Sequence, residues 1–576
     1  MDNLKYSEIL QQNVLLAKEV ERITPYRISI LSNITCNQLK CLLEFNLRKS
    51  NLNPEIKIGN YDNIIQDSYN CKGVQFVLIH YDLVNALDKY SGFIEDFTAD
   101  QINSLFQTIK SEIDLVLENL QYVPTVVFNT FLSAGVYSNS IIASKTDVLA
   151  RDLNEYLSLK NETNLHILDI HSTLAKTGIS NAFDFRMYFL SKSLYTISFW
   201  KEYVYELSSI VYRYTGKLKK AIIFDCDNTL WKGILGEDGM TGIDMSAQTK
   251  TGQIYNKVQQ IAVWLSNQGV IIGLCSKNNP ADVEKVLLEH KDMKLTMKYI
   301  VNSKINWQDK ASNLRLIAKE LNIGLDSFVF VDDSSFEINM IKEQLPEILT
   351  LQVPTAIHEY PGQLLKLIER HFYLSGNISD IDKTKQYKVQ SQRDEEKIKH
   401  QSLEDYLSSI KIEVIVKEND VSQIARIAQL TQKTNQFNLT TQRYTENQIE
   451  LFMMSGNTKV FSISVSDKFG ESGLTAVCIV RENNTIASID SFLMSCRIMG
   501  RNIELAIMNY LIYNYQQIGF KKIKSVYFPT AKNSPVSNFY EESGFCVVKR
   551  EKDIKEYELS ISDYKPFNVE YIKIAQ

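Results

Sequence analysis

Two carboxylates, Asp225 and Asp227, stand two positions apart in Phe224-Asp225-Cys226-Asp227-Asn228-Thr229-Leu230, directly after the apolar run KKAIIF. A strand ending in such a loop puts both side chains at its C-terminal edge, the arrangement of a nucleophile beside a proton shuttle. Carboxylate attack on a phosphoryl group needs its charge neutralised by a metal, a cation and hydroxyl or amide donors. These parts follow in chain order. Ser276 closes the apolar run GVIIGLCS, Lys310 lies in NWQDKA, and Asp332-Asp333 closes SFVFV. A lone D-x-D-x-T reads equally well as a solvated turn or a helix cap. Four such pieces on successive strand ends point to phosphoryl transfer. Ser276 comes 47 positions after Thr229, and Lys310 another 34 after that. Neither interval holds a separate lid domain once helices are subtracted. The substrate would then be carried by a macromolecule or be covered by neighbouring domains.

The elements that must position these residues follow from the hydrophobic pattern. Strand-like runs at 27–33, 74–80 and 124–129 alternate with helical stretches, as in a parallel α/β sheet. A second series begins after Gly216, with strands KKAIIFD, GVIIGLCS and DSFVFVDD and a helix from Tyr255 to Asn267. Open α/β sheets bind ligands beyond the C-terminal ends of their strands, where the acidic residues lie. A third series, IKIEVIVKE, KVFSISVSD, SGLTAVCIVR and TIASIDSFLM, then a helix, a strand and a closing helix, reads as α+β with a largely antiparallel sheet. The expected organisation is a multidomain α/β protein: 1–215, 216–374, a polar helical linker at 375–407, and 408–576.

With 576 residues, 44% of them hydrophobic and 23% charged, every domain has the composition for a core. A net charge of −5 provides no global field for nucleic acid or an anionic membrane, and no apolar run is long enough to span one. The eight cysteines form no C-x-x-C pair, which argues against zinc and disulfide frameworks. The expectation is a cytoplasmic protein with free thiols, no nucleic-acid or membrane partner and a small phosphorylated substrate.

The four strand-end pieces resemble the motifs of haloacid-dehalogenase (HAD) phosphatases. That resemblance implies that Asp225 forms an aspartyl-phosphate, Asp227 acts as general acid and then base, Thr229 and Ser276 hold phosphoryl oxygens, and Lys310 neutralises charge. Mg²⁺ would sit on Asp225, the Asp227 carbonyl and Asp332, with Asp333 behind them. The longer stretches DCDNTLWKGILGEDGMTGI, LTQKTNQFNLTTQRYT and DSFLMSCRIMGRNIE resemble the FkbH-like family over most of the chain. There a HAD domain without a large cap follows an SGNH-hydrolase-like domain and precedes a GNAT-like acyltransferase domain. The family takes glyceryl from D-1,3-bisphosphoglycerate, removes phosphate and loads the phosphopantetheine thiol of an acyl carrier protein in polyketide-type pathways.

Some positions depart from that pattern. Asp332-Asp333 is followed by Ser334-Ser335 where D-D-N-P is common. Ser32 has no G-D-S before it, and Asp184-Phe185-Arg186 replaces a terminal D-x-x-H, so the first domain reads as degenerate, with His80 or His171 as the remaining bases. In the last domain Arg497, Gly500 and Arg501 approximate the R-x-x-G-x-G/A turn that receives a pyrophosphate, with Asn502 in place of the final small residue. Cys496 is the thiol chosen as acyl carrier, placed near an expected helix N-terminus, against the reading of an ordinary buried cysteine. Cys226 and Cys275 read as packing residues. Tyr540 is a general-acid candidate whose plain reading is core packing. Asn435, Phe437 and Asn438 are candidates for orienting the acyl unit, or simply a turn. Two alternatives remain: a phosphatase of a small metabolite or sugar phosphate with an accessory acyltransferase domain, and a non-catalytic docking scaffold.

Overall fold

The computed structural model describes residues 1, 4–90, 93–133, 143–160, 162, 164–372, 393, 396, 400, 402–530, 532–551 and 554–575. They divide into two compact units, Met1–Val211 with Tyr444–Gln448, and Tyr212–Arg443 with Ile449–Gln576. No helix among the described residues is long and apolar enough to cross a membrane. Most of the expected linker at 375–407 lies outside the described residues. The helix Leu403–Ile410 begins within it, and Tyr406, Leu407 and Ile410 are buried in the last core, which moves that domain's start ahead of 408.

In the first unit, strands β1 (Pro25–Ser32), β2 (Asn53–Ile58), β3 (Phe76–His80), β4 (Thr125–Asn129) and β5 (Leu165–Leu168) form a parallel sheet in the order β2-β1-β3-β4-β5. The three runs legible in the sequence are its inner strands, since a strand covered on both faces is continuously apolar. Ser32 and His80 stand level on β1 and β3, at their C-terminal ends. His80 is fully buried. Its Nδ1 lies 3.2 Å from the Tyr203 hydroxyl, and the rings of Tyr195, Trp200 and Tyr203 pack around it at 5.6, 5.2 and 5.4 Å. His171 is exposed beside Asp169, and Asp184 caps the helix Phe185–Ser191. These roles hold the fold.

Burial without a counter-charge pushes the His80 imidazole down to about 3. The unfolded chain takes up a proton near pH 6.5 that the folded unit refuses, so the group's contribution to stability is present above about 6.5 and lost progressively toward pH 3. Asp82, buried and pushed up to about 6, works in the opposite sense. The comparison that isolates His80 is therefore parent against His80→Gln. The parent's urea midpoint should fall more steeply between pH 6.5 and 4.5 than the variant's; parallel curves would contradict the assignment.

The second unit holds two sheets. The first is parallel, in the order β10-β9-β6-β7-β8, from β6 (Ala221–Phe224), β7 (Ile271–Ser276), β8 (Ile300–Ile305), β9 (Phe328–Asp332) and β10 (Leu349–Gln352). β6 is central because its four residues are wholly buried and both faces are covered by helices. The chain runs from β6 through β7 to β8 on one side and then crosses to β9 and β10 on the other, so the strand order reverses at β6, the point where open α/β sheets bind ligands.

The other sheet is mixed and largely antiparallel, in the order β17-β18-β16-β15-β14-β13-β11-β19. Its strands are β11 (Ile412–Glu418), β12 (Phe437–Asn438), β13 (Thr458–Asp467), β14 (Gly470–Asn483), β15 (Ile486–Met494), β16 (Lys522–Tyr527), β17 (Cys546–Glu551), β18 (Ile554–Ser560) and β19 (Ile572–Ala575). The chain ends on strands, not on the expected closing helix. Phe539–Glu542 makes a single helical turn, and the antiparallel pair β17–β18 follows it. β15 and β16 run parallel and pair only from Ile486 to Ile489. Further along, β12 pairs with β15 at Leu493 and Met494, and Leu439 bonds both Phe492 and Phe528.

Candidate active site

The parallel register sets Phe224 level with Leu274 and Val331. One residue on, Asp225, Cys275 and Asp332 emerge together, with Ser276 just beyond. Asp225 and Asp332 are buried, and Lys310, at the start of the helix Lys310–Leu321, places its Nζ 3.1 Å from Asp225 Oδ1 and 2.7 Å from Asp332 Oδ2. Desolvation pushes Asp225 up to about 6, opposed by the Lys310 cation and reinforced by Asp332. Burial also raises Asp332 and Asp333, while Asp225 and Asp332 raise Lys310 despite its burial.

Asp225, Asp332 and Asp333 each offer an oxygen within 4.8 Å of the others. One ammonium for three clustered carboxylates leaves excess negative charge, and an all-oxygen donor set suits a hard divalent cation such as Mg²⁺. Thr229 Oγ1 is fully buried without a hydrogen-bond partner, as a donor awaiting a phosphoryl oxygen would be. The residues present fit the metal and the phosphoryl group.

Asp227 is held differently. Its Oδ1 accepts from Trp231 Nε1 at 2.9 Å and Leu235 N at 3.0 Å, and its Oδ2 from Asn278 Nδ2 at 2.8 Å. Its carboxylate is thus aimed by three donors, and any metal contact goes through its main-chain carbonyl. Asn228 takes a left-handed backbone, φ 50°, to make this tight turn, and its Oδ1 receives Gly233 N at 3.0 Å. Trp231 and Asn278 were not singled out in the sequence, although Trp231 lies inside the stretch quoted above and Asn278 follows Ser276 by two positions. Removing the Asn278 donor releases Asp227 Oδ2 while Trp231 and Leu235 still hold Oδ1; Asn278→Ala should lower kcat roughly 10-fold, less than the 10²–10⁴-fold attributed to a positioned acid–base group as a whole. Unchanged kcat would deny Asn278 this role.

The sheet, its strand-end carboxylates and the lysine define a HAD-like phosphatase domain. Residues 217–353 match the family model described as Acid Phosphatase. Among solved structures, the N-terminal part of the protein BF1531 from Bacteroides fragilis, containing a phosphatase domain complexed with Mg, is similar at 23% identity and a TM-score of 0.56, over 64% of this chain and 99% of that one. Ribosomal-protein-S18-alanine N-acetyltransferase from Escherichia coli matches at 13% identity and a TM-score of 0.21, over 26% of this chain and 94% of its own. Spermidine N-acetyltransferase from Vibrio cholerae, in complex with CoA and spermine, matches at 16% and 0.22, over 26% and 97%. No curated protein matches the chain.

The remaining candidates do not converge on Asp225. Phe437 packs edge-on against Phe492 and Phe539 in the core, and Tyr540 is buried among Phe545 and Tyr557, so neither ring is presented to a ligand. Asn438 is buried; its Oδ1 accepts Thr441 N and its carbonyl accepts Asn533 Nδ2. Asn435 Oδ1 accepts from Arg443 at 2.6 Å. Arg501 is committed to a buried cluster, 3.1 Å from Asp467, which Arg393 also grips at 2.7 Å. This corrects its reading as a pyrophosphate ligand. Arg497 bonds Ser495, and Gly500, exposed with φ 74°, precedes the left-handed Asn502.

Cys496 is half-buried in a short 3-10 turn, Cys496–Ile498; the helix starts only at Ile503, so the expected helix N-terminus does not face the thiol. The left-handed Gly500 and Asn502 interpose. Instead, Cys496 packs against the phosphatase domain, and its carbonyl accepts from Asn322 Nδ2 at 2.6 Å. Asn322 precedes β9 and Lys220, whose charge interacts with Cys496, precedes β6. Cys496 thus lies toward the N-terminal end of the sheet that carries Asp225 at its C-terminal end. Five residues of strand at about 3.3 Å each separate Lys220 from Asp225 by roughly 16 Å. Cys226 and Cys275 are fully buried packing residues.

Proposed function

We propose that the protein is a Mg²⁺-dependent phosphatase coupled to acyl transfer: it takes a glyceryl unit from D-1,3-bisphosphoglycerate, removes phosphate, and loads the pantetheine thiol of an acyl carrier protein. The observation that carries the phosphatase part is the buried Asp225–Lys310–Asp332 cluster beside the unpartnered Thr229 hydroxyl. Asp225, Asp332 and the Asp227 carbonyl would hold Mg²⁺, which supplies charge neutralisation at the phosphoryl oxygens. Asp225 forms a bond to phosphorus as the ester bond breaks, and Asp227 protonates the departing oxygen. Water then attacks phosphorus, Asp227 takes its proton, and Asp225 is released with inorganic phosphate. Lys310 offsets the charge throughout.

Acyl transfer uses Cys496. Its thiolate attacks the acyl carbon of the mixed anhydride, the carbon–oxygen bond breaks with loss of phosphate, and the pantetheine thiol later displaces Cys496 from the thioester. A glyceryl group attached to Cys496 does not span the roughly 16 Å of strand to Asp225. The phosphoester is therefore removed before or after the Cys496 stage, not during it. Trp307, on the loop after β8, and Phe336, in the first turn of the helix Ser335–Gln344 that follows β9, stand exposed at the same sheet end as Asp225, which supports a substrate delivered on a carrier.

Intact-mass measurement of a holo-carrier protein after incubation with the enzyme, bisphosphoglycerate and Mg²⁺ tests the reading: a glyceryl adduct is expected. EDTA should stop phosphate release and Mg²⁺ restore it. Phosphate release from simple esters with no mass gained by any protein would leave the plain phosphatase, which the distance between Cys496 and Asp225 favours as the second reading.

A further inference from the structure

The segment entering β6 carries Lys217, Lys219 and Lys220, which lie with Lys532 and Arg443, and the charge of Lys220 interacts with Cys496. Lys532 Nζ is 2.5 Å from Asp326 Oδ2 and 3.2 Å from the Gly216 carbonyl. Lys219 Nζ donates to the Asp326 carbonyl at 2.6 Å, and Lys220 Nζ to the Lys433 carbonyl at 3.2 Å. A side chain on Gly216, whose φ is 68°, would collide with the Arg443 guanidinium and approach Asn435 Oδ1 to 2.7 Å, so the chain passes close under that cation. Asp326 is the only carboxylate in ion-pair contact with any of these lysines among the described residues.

Such crowding is unfavourable unless an anion shares the space. Lys217 is pushed down to about 8 by burial, with Lys532 and Arg443 opposing its charge, and Lys219 likewise to about 8 by burial and by Lys532 and Lys217. Lys220 is lowered by burial, while Cys496 and Asp326 favour its charge. These cations precede β6 or lie beside Asp326 ahead of β9, at the sheet end opposite Asp225. They do not belong to the phosphatase centre.

We propose that Lys217, Lys220 and Lys532, with Arg443, form a second anion site beside Cys496 that receives an anionic phosphate attached to the group exchanging with the thiol. The inference rests on the proposed use of Cys496. Two sources share this chemistry, an acyl phosphate and the phosphodiester-linked arm of a carrier, represented by its free phosphopantetheine. A lysine ammonium is a point charge suited to either.

The test uses the full chain carrying Asp225→Asn, in EDTA, so that the phosphatase centre is silent. The alkylation rate of Cys496 by iodoacetamide is read on its peptide by mass spectrometry against inorganic phosphate, 3-phosphoglycerate and phosphopantetheine. Each phosphate probe should slow alkylation. The half-protecting concentration should rise about 10-fold in Lys220→Gln and in Lys217→Gln and stay within about 3-fold in Lys220→Arg. Stronger protection by 3-phosphoglycerate identifies the acyl phosphate as occupant, and stronger protection by phosphopantetheine identifies the arm. No protection by any probe, or equal protection in parent and both Gln variants, overturns the site. Those results alongside intact glyceryl transfer would remove the anion site alone. Lysine-dependent protection without transfer would remove the acyl-transfer reading alone.

Discussion

Asp225→Asn should reduce phosphate release from any monoester by roughly 10⁴-fold or more while leaving the fold in place. The reasoning is chemical: an amide cannot form the bond to phosphorus, and no second nucleophile is positioned to replace it. Asp332 is engaged by Lys310 at 2.7 Å and Asp227 by three donors, so neither is free to substitute. The fold should tolerate the change because Asp225 is buried, raised toward protonation and near-isosteric with Asn. Steady-state phosphate release, with Mg²⁺ saturating, measures the loss, and circular dichroism checks the fold. A loss below 10-fold would show that Asp225 is not the nucleophile. Under the coupled reading, the same variant should accumulate a phosphoglyceryl rather than a glyceryl adduct on the carrier.

Cys496→Ala has the opposite signature. Carrier loading should fall to the uncatalysed level, while hydrolysis of a simple phosphoester stays within about 2-fold of the parent. The separation follows from position, because the thiol and Asp225 belong to opposite ends of one parallel sheet. Cys496 reaches the phosphatase domain through packing and through the Asn322 bond to its carbonyl, which alanine retains. Intact-mass and phosphate assays on the same sample read both halves. Undiminished loading would assign acyl transfer to another group, and joint loss of both activities would show that the thiol supports the phosphatase domain structurally.

The phosphatase centre was legible because its parts are local. Each of Asp225, Ser276 and Asp332 closes an apolar strand, and in a parallel sheet equivalent strand ends gather at one edge whatever the loops between them do. Inner strands declared themselves by continuous apolar runs. The edge strands β2, β5, β8 and β10 did not, since a strand with one exposed side carries residues such as Asn302, Ser303, Lys304 and Gln352 that read as loop. The last domain was read as α+β for the same reason as the inner strands, but its closing hairpin was mistaken for a helix because Phe539–Glu542 is too short to have a period.

What the sequence by itself determined was that Asp225, Lys310, Asp332 and Asp333 would gather at one edge of a parallel sheet, set by chain order and strand polarity. The tertiary structure decided what surrounds them. It turned Asp227 onto Trp231 and Asn278, sealed His80, Phe437 and Tyr540 into cores, paired Arg501 with Asp467, and placed Cys496 at the far end of the sheet near Lys220. The physical reason is range. Strand ends and turns are written in neighbouring residues, whereas burial and charge pairing depend on residues hundreds of positions apart, such as Asp326 and Lys532, which meet only when whole domains pack.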